Sequence, residues 1–553
     1  MKGFEAMKYQ PYLIQLSSLE KVFLDEEITN KIELEGATAL KGERLSYQVL
    51  YRLKNSKCTV PVSVLCDPRI RVILRRTDNV PVVIPALQTL RDEWLLRDRP
   101  GLYPDVLTPI DGTIDVTMEC AHSLYVTCEI PEDLPAGEYP IDLSFTFGDT
   151  THVKTFKIKV LNAVLPPQEV SFTQWFHPDC IANYYGYEMY SEPHWAMLDK
   201  FMKAAKRAGL TMLLTPVFTL PLDTAKGAER PTHQLLDITL KRGKYKFGFK
   251  RLKRWLDLCR KNGIYQFEIS HFFTQWGTAR APKVVAKVDG KETRIFGWET
   301  DVFAGEYEAF LAALIPELTA FLKKEGVWDE CVFHVSDEPH YPAHYEIYKW
   351  EYTMLSRYLP KEKIMDAMSS TVYAENGLAT RPTVLTPEVE KFQNAGFSNI
   401  WMYTCCVPAN EGYANRFIAM PSGRTRMTGL QLYQYDIHGF LHWGFNYYYT
   451  ELARKQINPF MVTDAGDSFP AGDSFTVYPG EDGPLESLRA VSFFEGLQDH
   501  RACRLLESLT NRGSVLCLLE QCGMEDMNHF PRTNDGVLAI RQRINEEIEK
   551  ALA

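Results

Sequence analysis

The hydrophobic pattern of this chain changes period once, at Leu165-Pro166-Pro167. Before that point, from about residue 10, short alternating or β-branched runs recur at 60–65, 80–84, 123–130 and 141–147. Turn segments such as Leu134-Pro135-Ala136-Gly137-Glu138-Tyr139 separate them. A period of two places successive side chains on opposite faces of a strand, so this portion predicts an antiparallel β-sandwich. The paired prolines lack ladder donors and end the pairing. Beyond them buried strand and amphipathic helix alternate, the pattern of a parallel α/β unit.

Eight apolar runs follow the boundary, at 171–176, 211–218, 265–273, 331–336, 364–368, 400–404, 440–446 and 475–478. Trp195, Leu198, Met202 and Ala205 recur at helical spacing after the first. Tyr307, Phe310, Leu311, Leu314, Ile315, Leu318 and Phe321 form a broad apolar stripe before the fourth. Eight strand-helix units predict a (β/α)8 TIM barrel. At 553 residues the chain exceeds the size at which one core keeps growing. The expected organisation is therefore multidomain: a β-sandwich over 1–167, a catalytic barrel over 168–511 closed by a helix at 485–509, and a short helical C-terminal extension over 512–553.

A net charge of -10 argues against nucleic acid, whose binding rests on clustered Lys and Arg. The basic group Lys250, Arg251, Lys253 and Arg254 opens a helical pattern and reads as a solvated face. No stretch approaches the ~18 apolar residues of a membrane span, and Lys2 and Lys8 are followed by no apolar h-region, so no membrane partner and a cytoplasmic location are expected. The twelve cysteines are expected to be mostly reduced core thiols; the vicinal Cys405-Cys406 cannot make an ordinary loop-closing bridge. Neither G-x-G-x-x-G nor a Walker A pattern occurs, which leaves a nucleotide cofactor without support.

In such barrels chemistry sits on loops after the strands. The sharpest case is Cys331-Val332-Phe333-His334-Val335-Ser336-Asp337-Glu338-Pro339-His340, a buried strand running into two adjacent acids. The same residues would also serve as a helix start, with Ser336 or Asp337 as N-cap. Read as catalytic groups, adjacent acids favour one reaction class. In ordinary retaining glycosidases the acid and nucleophile straddle the anomeric carbon about 5 to 5.5 Å apart and come from different strands. Neighbours suit a sugar that supplies its own nucleophile, the carbonyl of a 2-acetamido group. Glu338 would then be general acid and later base, while ionised Asp337 would accept the acetamido N–H; the residues alone also allow the roles exchanged.

Other strand ends are rich in aromatic and amide groups: Trp175 with His177 and Asp179, His271 with Gln275 and Trp276, Trp401 with Tyr403, and His442, Trp443, Asn446 and Tyr447. Sugars have apolar faces and hydroxyl edges, which such groups match, although each aromatic taken singly also fits a core position. Trp175, His177, His271, Gln275, Trp276, Tyr403, Trp443 and Asn446 are the expected substrate-binding residues. His334, Asp337, Glu338 and His340 could be read as a metal cluster. They lack a zinc-site spacing, and Pro339 breaks the register, so no metal or other cofactor is expected.

These pieces resemble glycoside hydrolase family 123, the β-N-acetylgalactosaminidases and their uncharacterised relatives, over nearly the whole chain. The resemblance is carried by Phe176-His177-Pro178-Asp179-Cys180, Thr215-Pro216-Val217-Phe218-Thr219, Phe273-Thr274-Gln275-Trp276-Gly277, His334-Val335-Ser336-Asp337-Glu338-Pro339, Gly439-Phe440-Leu441-His442-Trp443-Gly444 and Gly472-Asp473-Ser474-Phe475, with Ser487-Leu488-Arg489 and Glu495-Gly496-Leu497-Gln498-Asp499 in the closing helix. It implies a sandwich followed by a (β/α)8 catalytic domain, no metal, and retention of configuration through the substrate's acetamido group. The family's Asp-Glu pair falls on Asp337 and Glu338; Tyr403 and Trp443 match its sugar-contacting aromatics.

The leading expectation is an exo-acting β-N-acetylgalactosaminidase or hexosaminidase acting on an oligosaccharide or glycoconjugate with a terminal 2-acetamido sugar. The alternatives are a retaining glycosidase with a separate carboxylate nucleophile, for which Asp366, Glu375 and Glu411 are candidates, and a non-catalytic carbohydrate-binding relative.

Overall fold

The computed structural model describes residues 10–28, 31–54, 56–86, 92–277 and 279–553. Lys2 and Lys8, on which part of the expected location rests, lie outside the described residues. Among those described, no helix is long and apolar enough to cross a membrane.

The N-terminal region is rich in antiparallel sheet. One sheet runs in the order Pro11–Ser17, Arg44–Leu53, His122–Glu129, Arg71–Val82, Gly101–Pro109, Gly483–Ser487, Val477–Gly480. The other runs Gly36–Lys41, Thr150–Val164, Gly137–Phe147, Cys58–Leu65, Thr113–Val116. Alternate residues such as Tyr47, Val49 and Tyr51 face Ile141, Leu143, Phe145 and Phe156 in one shared core, as the period of two predicts. One pair departs from the antiparallel expectation, since Gly36–Lys41 lies parallel to Thr150–Val164.

Beyond residue 170 a parallel sheet of eight strands curls on itself. Its strands are, in order, Ser171–Gln174, Met212–Thr215, Gln266–Ile269, Cys331–Phe333, Ala367–Met368, Thr383–Leu385, Trp401–Thr404 and Gly439–His442. The eighth pairs with the first from Ser171↔Gly439 to Gln174↔His442. Between the fourth and fifth, Phe333 bridges Ile364, and the Met365 N–H donates to Phe333 O at 3.0 Å, giving a barrel-like closure. Met212 and Leu214 point inward to a cluster with Trp175, Trp401 and Tyr403, while Leu213 points outward to the helices. Gly439 makes room for this filling, because a Cβ there would lie 2.2 Å from the Trp401 ring.

The count of eight matches the expectation, but its membership does not. Thr383–Leu385, unmarked in the sequence, is the sixth strand, whereas the run 475–478, expected as the eighth, belongs elsewhere. Val477–Gly480 forms a hairpin with Gly483–Ser487, which pairs with Gly101–Pro109 and completes the N-terminal sheet. The two parts of the chain thus share a sheet. Its far end is pinned by the fully buried Arg489–Asp105 ion pair at 2.8 Å, with the Tyr478 hydroxyl also donating to Asp105 at 2.6 Å. Removing one partner of such a pair costs about 3–5 kcal/mol.

Two hairpins unmarked in the sequence, Asp237–Lys241 with Lys244–Gly248 and Val284–Val288 with Lys291–Phe296, join into a small sheet beside the helix Glu306–Lys324. At the C-terminus, helices Arg512–Gln521 and Asn534–Leu552 pack on Leu488–Leu509 and on Leu40 and Leu161 of the N-terminal region. Arg541 joins Glu43 and Asp499 at 2.8 and 2.9 Å.

Candidate active site

At the C-terminal ends of the parallel strands lies a cavity of about 120 Å³. Asp337 and Glu338 both line it, with Trp175, His177, Trp276, Tyr403 and Trp443 among the expected residues. The helix-start alternative for the acids is not what forms: the next helix, Tyr345–Leu355, begins well beyond them with His344 at its N-cap. Between strand and helix the chain bends sharply, and Glu338 adopts φ +40° without being glycine. Such backbone strain costs about 1–3 kcal/mol and persists only where the surroundings impose it. Here the Trp276 N–H donates to Asp337 O at 3.0 Å, and the Tyr403 hydroxyl donates to Glu338 Oε1 at 2.8 Å.

The carboxyl of Asp337 is held well above the usual carboxylate range, by burial first and then by the charge of Glu338. Burial and the Glu338 charge likewise raise the Tyr403 phenol, which keeps its proton and remains a donor.

Beneath the acids is a buried polar layer. His334 is bracketed by Asp366 at 2.9 Å and Glu268 at 2.6 Å. Burial alone would lower its pKa, but the hydrogen bonds to the two carboxylates outweigh it and push it up to about 10, so the ring is an imidazolium. Glu268 also accepts from the Trp175 indole N–H at 2.7 Å and from Thr173 Oγ1 at 2.6 Å. Opposite, the Trp443 indole N–H donates to buried Asp473 at 2.9 Å. Two of the three cavity tryptophans, Trp175 and Trp443, are therefore oriented by a buried carboxylate.

His177 is fixed from both sides. Arg230, which can only donate, approaches Nδ1 at 3.1 Å, so Nε2 carries the proton and donates to Trp443 O at 3.2 Å. Burial foremost, then the Arg230 charge, lowers its pKa to about 3 and keeps it neutral. Arg230 is itself clamped to Asp179 at 2.6 and 2.9 Å.

Three expected sugar-binding residues lie off the cavity wall. His271 is wholly buried, stacked on His334 at 4.1 Å and edge-on to Trp175 at 5.2 Å, so it supports the wall from behind. Gln275 spends its amide on Thr224 O at 3.0 Å. Asn446 brackets the backbone of His177, accepting from its N–H at 2.9 Å and donating to its O at 3.0 Å. Strand-end position identified these residues; the direction of each side chain is a property of the closed sheet. Leu222, Asp223, Phe469, Cys405 and Cys406 line the cavity without having been singled out as sugar-binding.

None of the three carboxylates considered as a separate nucleophile lines the cavity. Asp366 is buried and accepts from His334, from the Val335 N–H and from the Tyr348 hydroxyl at 2.7 Å, while Glu375 and Glu411 are exposed elsewhere. His271, His334 and Asp366 bring ligand-type atoms within 4.8 Å of one another. Their geometry fits a shared ion poorly: the two imidazole planes are 13° from parallel with centroids 4.1 Å apart, so no common point lies in line with a lone pair of each ring. A larger cavity of about 380 Å³ lies between the N-terminal sheets and the C-terminal helix. Four of its charged groups pair with one another, Arg426 with Glu495 and Arg541 with Glu43.

The family model of the glycoside hydrolase 123 catalytic domain matches residues 175–506. Among solved structures, the chain is similar to a family 123 glycoside hydrolase from Clostridium perfringens, whose structure addresses glycolipid glycan hydrolysis. Identity is 14%, 98% of each chain is covered and the TM-score is 0.73. An endo-β-1,4-mannanase from Thermotoga petrophila aligns at 12% identity and a TM-score of 0.33, covering 61% of this chain and 78% of that one. No curated protein matches.

Proposed function

The chain belongs to glycoside hydrolase family 123, and we propose that it is a retaining, exo-acting β-N-acetylgalactosaminidase or hexosaminidase that uses the 2-acetamido group of its substrate as nucleophile. Membership makes it a glycosidase with a carbohydrate substrate; sugar and mechanism are our reading. The observation that carries it is the presence of two sequence-adjacent carboxyls, Asp337 and Glu338, in one aromatic-walled cavity.

Before a sugar binds, the pair retains a proton, because burial and mutual repulsion oppose two charges. A bound acetamido group offers its N–H to Asp337 and replaces the solvation that burial removed, so Asp337 ionises and the proton of the pair is left for the leaving oxygen. Glu338 delivers it as the glycosidic bond breaks, while the acetamido carbonyl oxygen closes on C1 from the opposite face. The charge of the oxazolinium-like ring develops beside Asp337. Glu338 then takes a proton from water, which opens the ring and restores the starting configuration. The hydrogen bond from Tyr403 keeps Glu338 in the cavity through both steps. Domain limits at 167 and 511, and a (β/α)8 barrel as the exact form of the curled sheet, are part of the same proposal.

A panel of nitrophenyl β-glycosides tests the reading. Release from 2-acetamido sugars, with tight inhibition by the matching 2-acetamido thiazoline, is expected. Cleavage of a plain β-galactoside but of no acetamido sugar would sink the mechanism.

A further inference from the structure

One cavity carboxylate, Asp223, has no part in the chemistry above. It follows the second parallel strand, Met212–Thr215, and adopts φ +42°. Its loop is tied down through the backbone: the Tyr447 hydroxyl donates to Asp223 O at 2.9 Å, the Ala225 N–H to Leu452 O at 2.9 Å, and Gln275 to Thr224 O at 3.0 Å, while Tyr447 and the Leu452 N–H also act on one side of the carboxyl. The carboxylate oxygen Oδ2 is buried and meets no donor among the described residues. Burial raises the carboxyl to about 6, which leaves it ionised at neutral pH. The cation that acts on it, Arg230, is engaged by Asp179 and His177. A buried acceptor with no donor costs stability, so its retention on a rigid, strained loop points to a donor that arrives with the ligand.

We propose that Asp223 selects the sugar, its carboxylate accepting hydroxyl hydrogen bonds from the ring edge remote from the 2-acetamido group and so distinguishing sugars that are epimeric at the 4-hydroxyl. The inference rests on the proposed function for identifying the cavity as the site of the cleaved sugar. In that reading C1 faces Glu338 and the C2 substituent faces Asp337, both from the loop after the fourth strand. The C3–C4 edge then points to the other side, where the loop carrying Asp223 is tied to the loop after the eighth strand. A carboxylate only accepts and sugar hydroxyls can donate, so the two are complementary. The wrong epimer leaves Asp223 Oδ2 buried and without a donor, the arrangement by which polar sites reject close analogues most strongly.

The test uses the full chain, Asp223→Ala and Asp223→Asn, with nitrophenyl β-glycosides of the 2-acetamido galacto and gluco sugars. The unaltered protein is expected to favour one epimer by about 30-fold in kcat/KM, the scale of one hydrogen bond to a charged acceptor. In Asp223→Ala the ratio collapses to within about 3-fold, chiefly through a raised KM for the favoured epimer; Asp223→Asn falls between, and the melting temperature of Asp223→Ala does not fall, since the unpaired acceptor is removed. Equal losses for both epimers, an unchanged ratio, or loss of kcat on both to background would overturn the proposal, the last marking a nucleophile. If the protein instead cleaves only sugars lacking the acetamido group, the proposed function fails. The Asp223 inference is then judged by the same ratio on the plain β-galactoside and β-glucoside. Should none be cleaved, titration calorimetry with the four free monosaccharides supplies the ratio, and absence of binding by all of them overturns it.

Discussion

The Tyr403 hydroxyl donates to Glu338 Oε1 at 2.8 Å, linking the end of the seventh parallel strand to the loop after the fourth. Without that bond Glu338, on a strained residue, would be free to turn out of the cavity. Tyr403→Phe is expected to lower kcat/KM by about 10- to 100-fold, the value of a hydrogen bond to a charged group, with little change in melting temperature. Steady-state kinetics beside a thermal melt check it.

Glu338→Gln removes the proton donor and should lower kcat by about 10²–10⁴-fold, more on a poor leaving group than on nitrophenol. Asp337→Asn should fall comparably on 2-acetamido substrates, because the amide cannot balance the forming positive charge. Retention of more than about a tenth of kcat in Glu338→Gln would reassign the acid.

The paired acids predict a pH profile. Burial and the Glu338 charge raise Asp337, so the pair gives up its last proton above the usual carboxylate range. The rate needs that proton and should fall as pH rises through the raised value. The alkaline limb of kcat/KM is therefore expected well above pH ~4.5. A limb at the ordinary carboxylate pKa would contradict the cavity electrostatics.

His334 sits as a cation between Glu268 and Asp366, and His334→Asn leaves two buried carboxylates without it. Loss of about 3–5 kcal/mol is expected in chemical denaturation. The folded pKa, about 10, lies above the unfolded one, so the contribution of His334 is whole below pH ~6.5 and is lost as pH rises through about 10. Melts from neutral to alkaline pH should show this decline in the unaltered protein and not in His334→Asn.

Helices Ser422–Gln434 and Leu488–Leu509 touch backbone to backbone at Gly429 and Gly496. A Cβ on Gly429 would lie 1.8 Å from Gly496 O. Gly429→Ala is expected to cost about 3 kcal/mol or to prevent folding, since a carbonyl inside a packed helix cannot move aside. Thermal denaturation reads the loss.

Features written locally were legible in the sequence. The change of hydrophobic period separated the antiparallel region from the parallel one. The run from Cys331 into Asp337 and Glu338 marked the acids, because a buried strand that ends on polar groups is visible in a few residues. Thr383–Leu385 left no such mark: three residues between Pro382 and Thr386-Pro387 are too short to show a period. The run 475–478 misled for the opposite reason, since an apolar strand reads alike whichever sheet receives it.

The pairings of the carboxylates behind the wall were invisible on the same grounds, although Asp366 itself stood out as a candidate nucleophile. Glu268, Asp366 and Asp473 lie on different strands and loops, and only closure of the sheet brings them to Trp175, His334 and Trp443. The sequence by itself determined what depends on neighbours in the chain: the two kinds of sheet, seven of the eight parallel strands and the adjacent acids. Tertiary structure alone decided which side chains reach the cavity, which carboxyl keeps its proton and which acid is left without a partner. Those outcomes depend on distances and burial among residues remote in sequence, which periodicity does not encode.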